Sequence, residues 1–336
     1  MVTVSNNTQL LAALRNSAND PNIELTSGTY SLNLRSGNYQ DAVITEADGA
    51  TATFSKVDLR SVSHLTFDGV NFNLPTATKG IVIANSDDIA IQNSNISGST
   101  AQNTKGIFVN NTDDLVIVNN TITGFATSMA FSNIDGLIVQ SNDILGMSWD
   151  AMISGGVHHA LYADNNISMS IPKGRLHTDG MQFYNNGGSA LSDVTISNNI
   201  IETNGRSHGI YMGNNYAHTG GGPSAFFSNV VIDHNTIHTT NSLGIAVGET
   251  NHLTITDNWT SGIRVRYSST DVHISDNNVA PKPSGTNWAV VRNTIEPWDV
   301  HDNNNSSAGA VQAFAAPDAD TFHFDMAAID SAHTFL

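Results

Sequence analysis

The chain repeats a short run of alternating apolar and polar residues, then a polar corner, then a second short alternating run. Alternation with a period of two predicts strands that bury one face. The pattern returns after about 22 residues in the earlier units, which is the period of a stacked repeat. Eight such units begin at Asp87, Asp113, Asp135, His158, Ser192, Ser228, Asn251 and Thr270.

Asparagine occupies the corner in seven consecutive units. An asparagine tolerates left-handed backbone conformations, and its amide can bond the turns above and below it. Stacked at the strand spacing of about 4.8 Å, these side chains are predicted to form an internal ladder. The predicted ladder consists of Asn120, Asn142, Asn165, Asn198, Asn235, Asn258 and Asn277.

A second family of strands lies between these corners. Its spacing predicts a parallel β-helix, in which each coil buries its apolar face on its neighbours. The opening stretch reads as an amphipathic helix that covers the first coil, because open coil ends need a cap. We predict a cap over residues 1–30, coils over 31–300 and a non-repeating tail over 301–336. The second strand family begins at Lys79, Lys105, Trp149, His177, Ser207, Leu243 and Ser261.

Charge and composition limit the possible partners. The formal net charge is −17, which argues against nucleic acid and against anionic membrane lipid. The acidity is compatible with a secreted, calcium-binding protein, and equally with solubility alone. With no cysteine, disulfides and thiolate chemistry are excluded, and no apolar run is long enough to span a membrane. The first residues lack the features of a signal peptide, so we expect another export route or a trimmed N-terminus.

Repeats of the form VxIxNNxI behind an opening cap helix resemble the pectin-lyase-like right-handed β-helix superfamily, over about residues 5–300. The resemblance implies an all-β, single-stranded right-handed parallel β-helix with an N-terminal cap helix. That group includes polysaccharide lyases, mannuronan C-5-epimerases, polygalacturonases and phage tailspikes, nearly all of which handle carbohydrate. In the tail, DADTFHFD (317–324) resembles one degenerate unit of the calcium-binding repeats of type I-secreted bacterial proteins. This implies a bacterial, extracellular protein with a calcium-binding (RTX-like) tail.

Alignment of the second strand family on its central apolar residues predicts which side chains face outward. One outward column is a glycine strip that would let a ligand approach the backbone. The next column carries polar side chains, and Tyr184 lies beyond it. At the strand entrance, successive coils present Asp150, Asp179 and His208. The glycine strip is Ala151, Gly180, Gly209, Gly244 and Gly262, and the next column is Ile153, Gln182, Tyr211, Ala246 and Arg264.

Long loops and clustered cations meet at this strand family. Insertions fall at 168–177, 187–192 and 216–227, and long loops on a repeat scaffold usually build a binding wall. An acidic protein that gathers its few cations in one groove is predicted to bind an anionic ligand there. Five of the 13 basic residues lie here, namely Lys173, Arg175, Arg206, Arg264 and Arg266.

These residue types favour β-elimination or C-5 epimerisation of a uronic-acid polysaccharide. That chemistry needs a cation to neutralise the carboxylate, a base, and an acid. Arg264 and Arg175 are candidates for neutralisation, and His208 or His177 for the base. The acid candidates are Tyr211 and Tyr184. Asp150 and Asp179 would orient His208 or hold calcium. Further substrate contacts are expected from Lys173, Gln182, Arg206, Arg266 and Trp149.

Two other readings stay open. The strings HTDG (177–180), SHGI (207–210) and IRVR (263–266) resemble, in order, three blocks of polygalacturonases. The paired aspartates of that group are missing between the first two blocks, and Asp150 with Asp179 would have to replace them for glycoside hydrolysis. The Asp-Pro-His arrangement of the superfamily's epimerases is also missing. The third reading is a non-catalytic glycan-binding fibre. The sugar and the oligomeric state are left open.

Overall fold

The computed structural model describes residues 1–75, 77–99, 101, 103–170, 178–203, 207–265 and 269–279. All of them belong to the compact unit Met1–Asn305, whereas the second unit, Ser306–Leu336, lies outside the described residues. The predicted calcium-binding tail therefore lies outside them as well. So do five predicted site residues, namely Lys173, Arg175, His177, Arg206 and Arg266.

Within the described residues the chain forms one α-helix, α1 (Asn7–Arg15), and 28 strands. The first fourteen strands are β1 (Val2–Val4), β2 (Asn22–Leu25), β3 (Gly28–Leu34), β4 (Gly37–Glu46), β5 (Ala52–Arg60), β6 (Val62–Asp68), β7 (Asn71–Asn73), β8 (Lys79–Ala84), β9 (Asp87–Gln92), β10 (Asn95–Ser97), β11 (Lys105–Val118), β12 (Thr121–Thr123), β13 (Thr127–Gln140) and β14 (Asp143–Met147). The others are β15 (Met152–Ala163), β16 (Asn166–Met169), β17 (Asp179–Tyr184), β18 (Ser192–Ser197), β19 (Ile200–Glu202), β20 (His208–Gly213), β21 (Phe227–Asp233), β22 (Thr236–His238), β23 (Ile245–Val247), β24 (Thr250–Thr256), β25 (Trp259–Thr260), β26 (Ile263–Val265), β27 (Thr270–Ser275) and β28 (Asn278–Val279). Two short helical turns, Ala217–Gly221 and Gly222–Ala225, separate β20 from β21.

The strands stack in parallel into three faces of a right-handed β-helix, which confirms the predicted fold. The first face runs through β5, β8, β11, β13, β15, β17, β20, β23 and β26. The second runs through β6, β9, β11, β13, β15, β18, β21, β24 and β27. The third runs through β7, β10, β12, β14, β16, β19, β22, β25 and β28. The long strands β11, β13 and β15 continue from the first face into the second.

Identical positions of successive coils stack on one another inside the helix. One buried column on the second face shows the pattern, because every rung pairs in register with the next. Apolar side chains stacked this way exclude water along the whole axis, and removal of that apolar surface from water is what drives the coils together. The column consists of Ile91, Ile117, Val139, Tyr162, Ile196, Ile232, Ile255 and Ile274.

The predicted cap helix is present at the first coil. Its N-cap, Asn6, accepts a hydrogen bond from the backbone N–H of Gln9 at 3.0 Å. The helix buries Leu10, Ala13 and Leu14 against the core. It therefore covers the apolar end of the first coil, as the sequence predicts.

The asparagine ladder is present, but one of its predicted members is wrong. The fourth residue of the ladder is Asn199, not Asn198. Asn165 donates from Nδ2 to Asn199 Oδ1 at 2.9 Å, and Asn199 donates to Asn235 Oδ1 at 2.9 Å. Asn198 precedes the ladder and adopts the left-handed conformation with φ of 55°. Each coil thus uses two adjacent residues, the first for the left-handed turn and the second for the buried amide.

Candidate active site

The first face carries the polar column that the sequence predicts. In-register pairs join Ile153 to Gln182, Gln182 to Tyr211, Tyr211 to Ala246, and Ala246 to Arg264. Gln182 and Tyr211 are half-buried, Ala246 is buried and Arg264 is exposed. The stacking therefore brings residues about thirty positions apart in sequence side by side, as predicted.

Asp179 and His208 pair at the entrance to this face. The Nδ1 atom of His208 lies 2.9 Å from Asp179 Oδ1, and the backbone N–H of His208 donates to the same oxygen at 3.0 Å. One coil earlier, Asp150 Oδ1 accepts the backbone N–H of Asp179 at 2.7 Å. The three predicted residues thus form a chain in which each carboxylate holds the start of the next strand.

This network fixes the orientation of the His208 ring. An ionised carboxylate only accepts hydrogen bonds, so in a neutral ring the proton is assigned to Nδ1, which donates to Asp179. Nε2 then carries the basic lone pair. The arrangement suits a general base that is oriented by a carboxylate.

Two tyrosines lie on the same face. The ring of Tyr211 stacks on that of His208, with centroids 5.1 Å apart and planes at 28°. Tyr184 lies one coil before Tyr211, with its ring beside Gly155 of the preceding coil. Burial raises the pKa of the Tyr184 hydroxyl. Tyr211 therefore stands directly beside the candidate base, whereas Tyr184 is further along the strand.

The prediction of a glycine strip facing outward is wrong. A Cβ on Gly180 would lie 2.5 Å from Ile201 Cγ2, and one on Gly209 would lie 2.3 Å from Ile237 Cγ2. Both isoleucines are fully buried. These glycines therefore face the interior, where the third face leaves no room for a side chain.

A stacked β-bulge explains this reversal. The backbone N–H groups of Gly209 and Ile210 both donate to Gly244 O at 2.9 Å, so two consecutive residues oppose one. The inward and outward alternation of side chains is interrupted at this bulge. The side chain of His208 therefore lies on the same side of the strand as that of Tyr211, although the two residues are three positions apart. The same pair of hydrogen bonds recurs on the next coil, where the backbone N–H groups of Gly244 and Ile245 both donate to Gly262 O.

The entrance residues are also less exposed than the sequence predicts. Asp150, Asp179 and His208 retain only 3%, 0% and 7% of their accessible surface. Asp179 is therefore placed to support His208 rather than to touch a ligand directly. Their mutual contacts agree with the prediction, and their exposure does not.

The remaining predicted residues divide by position. Arg264 lies two strands beyond Tyr211, about 10 Å along the axis. Together with Ala246 and Gly248, these two residues line a depression on the first face. Trp149 is half-buried, and its backbone N–H donates to Ala126 O at 2.9 Å, so it belongs to the turn before Asp150.

Two of the three predicted loops, those after Tyr184 and Tyr211, are tied together at the far end of the first face, and most of the third (171–177) lies outside the described residues. Asn185 donates to Asn214 Oδ1 at 2.8 Å and to Ala225 O at 3.1 Å. Asn186 reaches back two coils to Asn133 Oδ1 at 3.0 Å. These two loops therefore form one bonded wall beside the strand ends that follow Tyr184 and Tyr211.

The predicted calcium role of Asp150 and Asp179 stays a prediction, because their described contacts are hydrogen bonds within the chain. Calcium takes six to eight oxygen ligands, and Oδ1 of each of these buried carboxylates accepts N–H groups. Within the described residues, two clusters bring three carboxylate and imidazole ligand atoms within 4.8 Å of one another. These are Asp41, His64 and Asp88, and Asp233, His234 and Asp257, which do not include the entrance residues.

Sequence reasoning missed how far the entrance column extends. Lys79 pairs with Lys105 and Lys105 with Thr127, on the coils that precede Asp150. Burial lowers the pKa of Lys105, Lys79 lowers it further, and Asp150 opposes the shift. The signal was present in the matching strings KGIVIAN and KGIFVNN, which repeat a lysine at one position of two adjacent coils.

Three solved structures are similar to this chain at low sequence identity. The A-module of an Azotobacter vinelandii mannuronan C-5 epimerase is 13% identical, with a TM-score of 0.48, and the match covers 92% of this chain and all of that one. The Dettilon tailspike protein is 14% identical with a TM-score of 0.51, over 82% of this chain and 59% of the tailspike. A surface adhesin of Streptococcus pneumoniae is 10% identical with a TM-score of 0.50, over 82% and 88% of the two chains. No curated protein matches the chain in sequence.

The described part of the chain contains no helix with the length and apolar character needed to cross a membrane.

A family profile described as a right-handed β-helix region matches residues 41–285, which is most of the coil region. These residues include the Asp179–His208 pair and the full polar column of the first face. The chain therefore belongs to the right-handed β-helix family.

Proposed function

We propose that this protein acts on a uronate-containing polysaccharide by removing the proton next to the sugar carboxylate, leading to β-elimination or C-5 epimerisation. The observation that carries the proposal is the pair of Asp179 and His208 with Tyr211 stacked on the imidazole. A base held by a carboxylate, with a hydroxyl beside it, supplies both groups that proton transfer at a carbon requires.

In the proposed reaction, His208 Nε2 takes the C-5 proton of the uronate. The negative charge that develops on the sugar carboxylate is stabilised by Arg264, the exposed cation of the same column. The imidazolium that forms is stabilised by Asp179, whose Oδ1 accepts Nδ1–H at 2.9 Å. Asp150 holds the Asp179 backbone and acts as a positioning residue.

The fate of the electron pair separates the two outcomes. In elimination, the C-5 electrons form a double bond to C-4, the C-4–O bond breaks, and Tyr211 protonates the leaving oxygen. In epimerisation, Tyr211 returns a proton to C-5 on the opposite face and no glycosidic bond breaks. Both outcomes use the same base, and the position of the sugar relative to the tyrosine hydroxyl decides between them.

Glycoside hydrolysis is the second candidate, and burial counts against it. Two carboxyl groups must flank the scissile bond and reach the sugar or a water molecule. Asp150 and Asp179 are almost fully buried, and Oδ1 of each accepts N–H groups of the next coil. They fit a supporting role better than an acid and a nucleophile. The third candidate is a glycan-binding fibre without catalysis. It does not require an imidazole oriented by a buried carboxylate, as His208 is by Asp179.

The test is incubation of the protein with alginate, polygalacturonate and other acidic polysaccharides. Ultraviolet absorbance of an unsaturated uronate would indicate elimination, and a changed NMR ratio of C-5 epimers would indicate epimerisation. His208→Ala should abolish either product, and the matched control is His273→Ala, whose exposed ring is hydrogen-bonded to the Ser275 hydroxyl. New reducing ends without absorbance would favour hydrolysis, and retention without product would favour simple binding.

The expected surroundings follow from the substrate. Acidic polysaccharides of this kind are found outside cells, so we propose an extracellular protein. The calcium-binding tail stays a prediction, and no step of the proposed reaction passes through a metal.

A further inference from the structure

The entrance column of the first face changes from acidic to basic toward the N-terminal coils. His208, Asp179 and Asp150 occupy this column on three successive coils. The coil before Asp150 carries Thr127, and the two coils before that carry Lys105 and Lys79. At about 4.8 Å per coil, Lys105 lies about 19 Å from His208 along the axis. That distance is several sugar units of an extended chain.

The two lysines stack directly opposite one another in a protein that carries few cations. In-register like charges on adjacent strands are destabilising unless an opposite charge offsets them. Elsewhere on these early coils, Arg35 and Arg60 are neutralised by Asp58 at 3.0 and 2.9 Å. Among the described residues, by contrast, Lys79 and Lys105 form no ion pair with a carboxylate, and the opposite charge that acts on Lys105 is Asp150, beyond ion-pair distance.

An aromatic ring lies with the lysines on the outer side. The Nζ atom of Lys79 is 3.4 Å from the centroid of the Phe108 ring. Phe108 is half-buried and belongs to the same outward column as Gln182 and Tyr211. As at His208 and Tyr211, a residue of the entrance column lies against a ring of the outward column, here between adjacent coils and not within one strand.

We propose that Lys79, Lys105 and Phe108 form a distal subsite that binds a carboxylate-bearing sugar of the chain whose reacting unit lies at His208. The lysines bind the carboxylate, and the exposed part of the Phe108 ring contacts the apolar face of the sugar. The subsite rests on the proposed function for the identity of the chain. It adds that the protein selects long acidic chains over short ones.

The experiment measures binding in a His208→Ala background, which prevents turnover, by calorimetry. The ligands are a long polyuronate chain, the uronate disaccharide and a neutral glucan of similar length to the long chain. Lys105→Gln and Lys79→Gln are compared with Arg15→Gln, which removes one positive charge from the exposed surface of α1. Thermal melting checks that every variant is folded.

Each lysine variant should weaken long-chain binding about ten-fold, the worth of one charge-assisted hydrogen bond. Disaccharide affinity should not change, Arg15→Gln should have no effect, and the neutral glucan should bind more weakly than the polyuronate. Equal losses for both uronate lengths, no loss for either, or no long-chain binding at all would overturn the subsite.

Turnover of the long chain by protein with native His208 is measured in parallel. If the lysine variants lose affinity although no chain is turned over, the subsite stands and the proposed chemistry falls. If chains are turned over but their binding ignores both lysines, the chemistry stands and the subsite is overturned.

Discussion

The Nδ1 atom of His208 lies 2.9 Å from Oδ1 of Asp179, a residue twenty-nine positions earlier and one coil away. The same oxygen also accepts the backbone N–H of His208 at 3.0 Å. One carboxylate therefore sets both the start of a strand and the orientation of the ring at that start. The scaffold and the candidate chemistry share this contact.

Asp179→Asn should lower kcat/KM on a polyuronate by about 10²–10⁴-fold. The neutral amide still accepts the backbone N–H of His208, so the strand start is kept, but it no longer stabilises the imidazolium that forms in the reaction. Steady-state kinetics with a thermal melt of each variant checks this. Asp150→Asn is the control, because it acts one coil further from the ring, and its loss should stay within about ten-fold. Equal losses would contradict the separate roles.

Tyr211→Phe should keep the stack on His208 and remove only the hydroxyl. If Tyr211 is the acid, product formation should fall by about 10²-fold or more while KM changes little. Tyr184→Phe is the matched variant on the neighbouring coil and should retain most of the activity. A Tyr211→Phe protein with native turnover would remove this residue from the reaction.

Asn165→Ala should destabilise the protein by about 2–4 kcal/mol, because several buried polar groups lose their partners together. Asn165 Oδ1 accepts from the Asn142 backbone N–H at 3.1 Å, and Asn165 Nδ2 donates to Val139 O at 2.9 Å. Thermal or urea unfolding followed by circular dichroism measures the loss.

Asn166→Ala is the control, one position later on the same turn. Asn166 is exposed, and within the part of the chain that the structure describes its side chain makes a single hydrogen bond, to Asp143 Oδ1 at 3.0 Å. Its removal should change stability by no more than about 0.5 kcal/mol. Similar losses for the two variants would show that the ladder contributes no more than a surface contact.

Gly209→Ala should cost about 1–3 kcal/mol, because its methyl group would lie 2.3 Å from Ile237 Cγ2 in the core. Ile237→Ala removes that atom and creates a cavity of its own. In the double variant the two changes should compensate in part, so that the combined loss is smaller than the sum of the single losses. Strict additivity in unfolding measurements would contradict the inward orientation of this glycine.

His159 should make stability depend on pH in a defined direction. Its hydrogen bond to Asp135 at 2.5 Å raises its pKa, and burial opposes this shift. The folded protein therefore holds the proton more tightly than the unfolded chain. The resulting stabilisation is fully present below the unfolded pKa of about 6.5 and is lost as pH rises through the raised folded pKa.

The measurement compares wild type with His159→Gln in thermal melts between about pH 5 and pH 8. The wild-type advantage should be greatest at the acidic end and should vanish at the alkaline end. Because the side chain is more than half exposed, the effect should be small and should shrink in high salt. An advantage that grows with pH would reverse the assigned direction.

The sequence was sufficient to predict the repeat, the cap helix and the register of the first face. Central apolar residues such as Met181 and Ile210 align because each coil must bury the same position on its neighbour. This alignment alone brought His208 next to Asp179. The sequence predicts Asn198 in place of Asn199 because both residues of this turn are asparagines, and the sequence does not say which of the two is buried.

The orientation of the glycine column could not be obtained from alternation. Strict alternation assumes an unbroken ladder, and the bulge at Gly209 and Ile210 displaces the pattern by one residue. Small residues at one position of many coils, such as Gly106, Ser128 and Gly180, are a sign of internal crowding. The lysine pair lies on coils without long loops, so loop length gives no indication of it.

The stacked bulge lets the side chain at each strand start vary without disturbing the core. Lysine, threonine, aspartate and histidine all occupy that position on successive coils of one face. The two positions that follow them stay buried and are occupied by small and then by apolar residues, such as Ser128 and Met129 or Ala151 and Met152. Reactive and binding groups can thus be moved up or down the axis by single substitutions, and a family built on this plan can change its chemistry while its architecture is left intact.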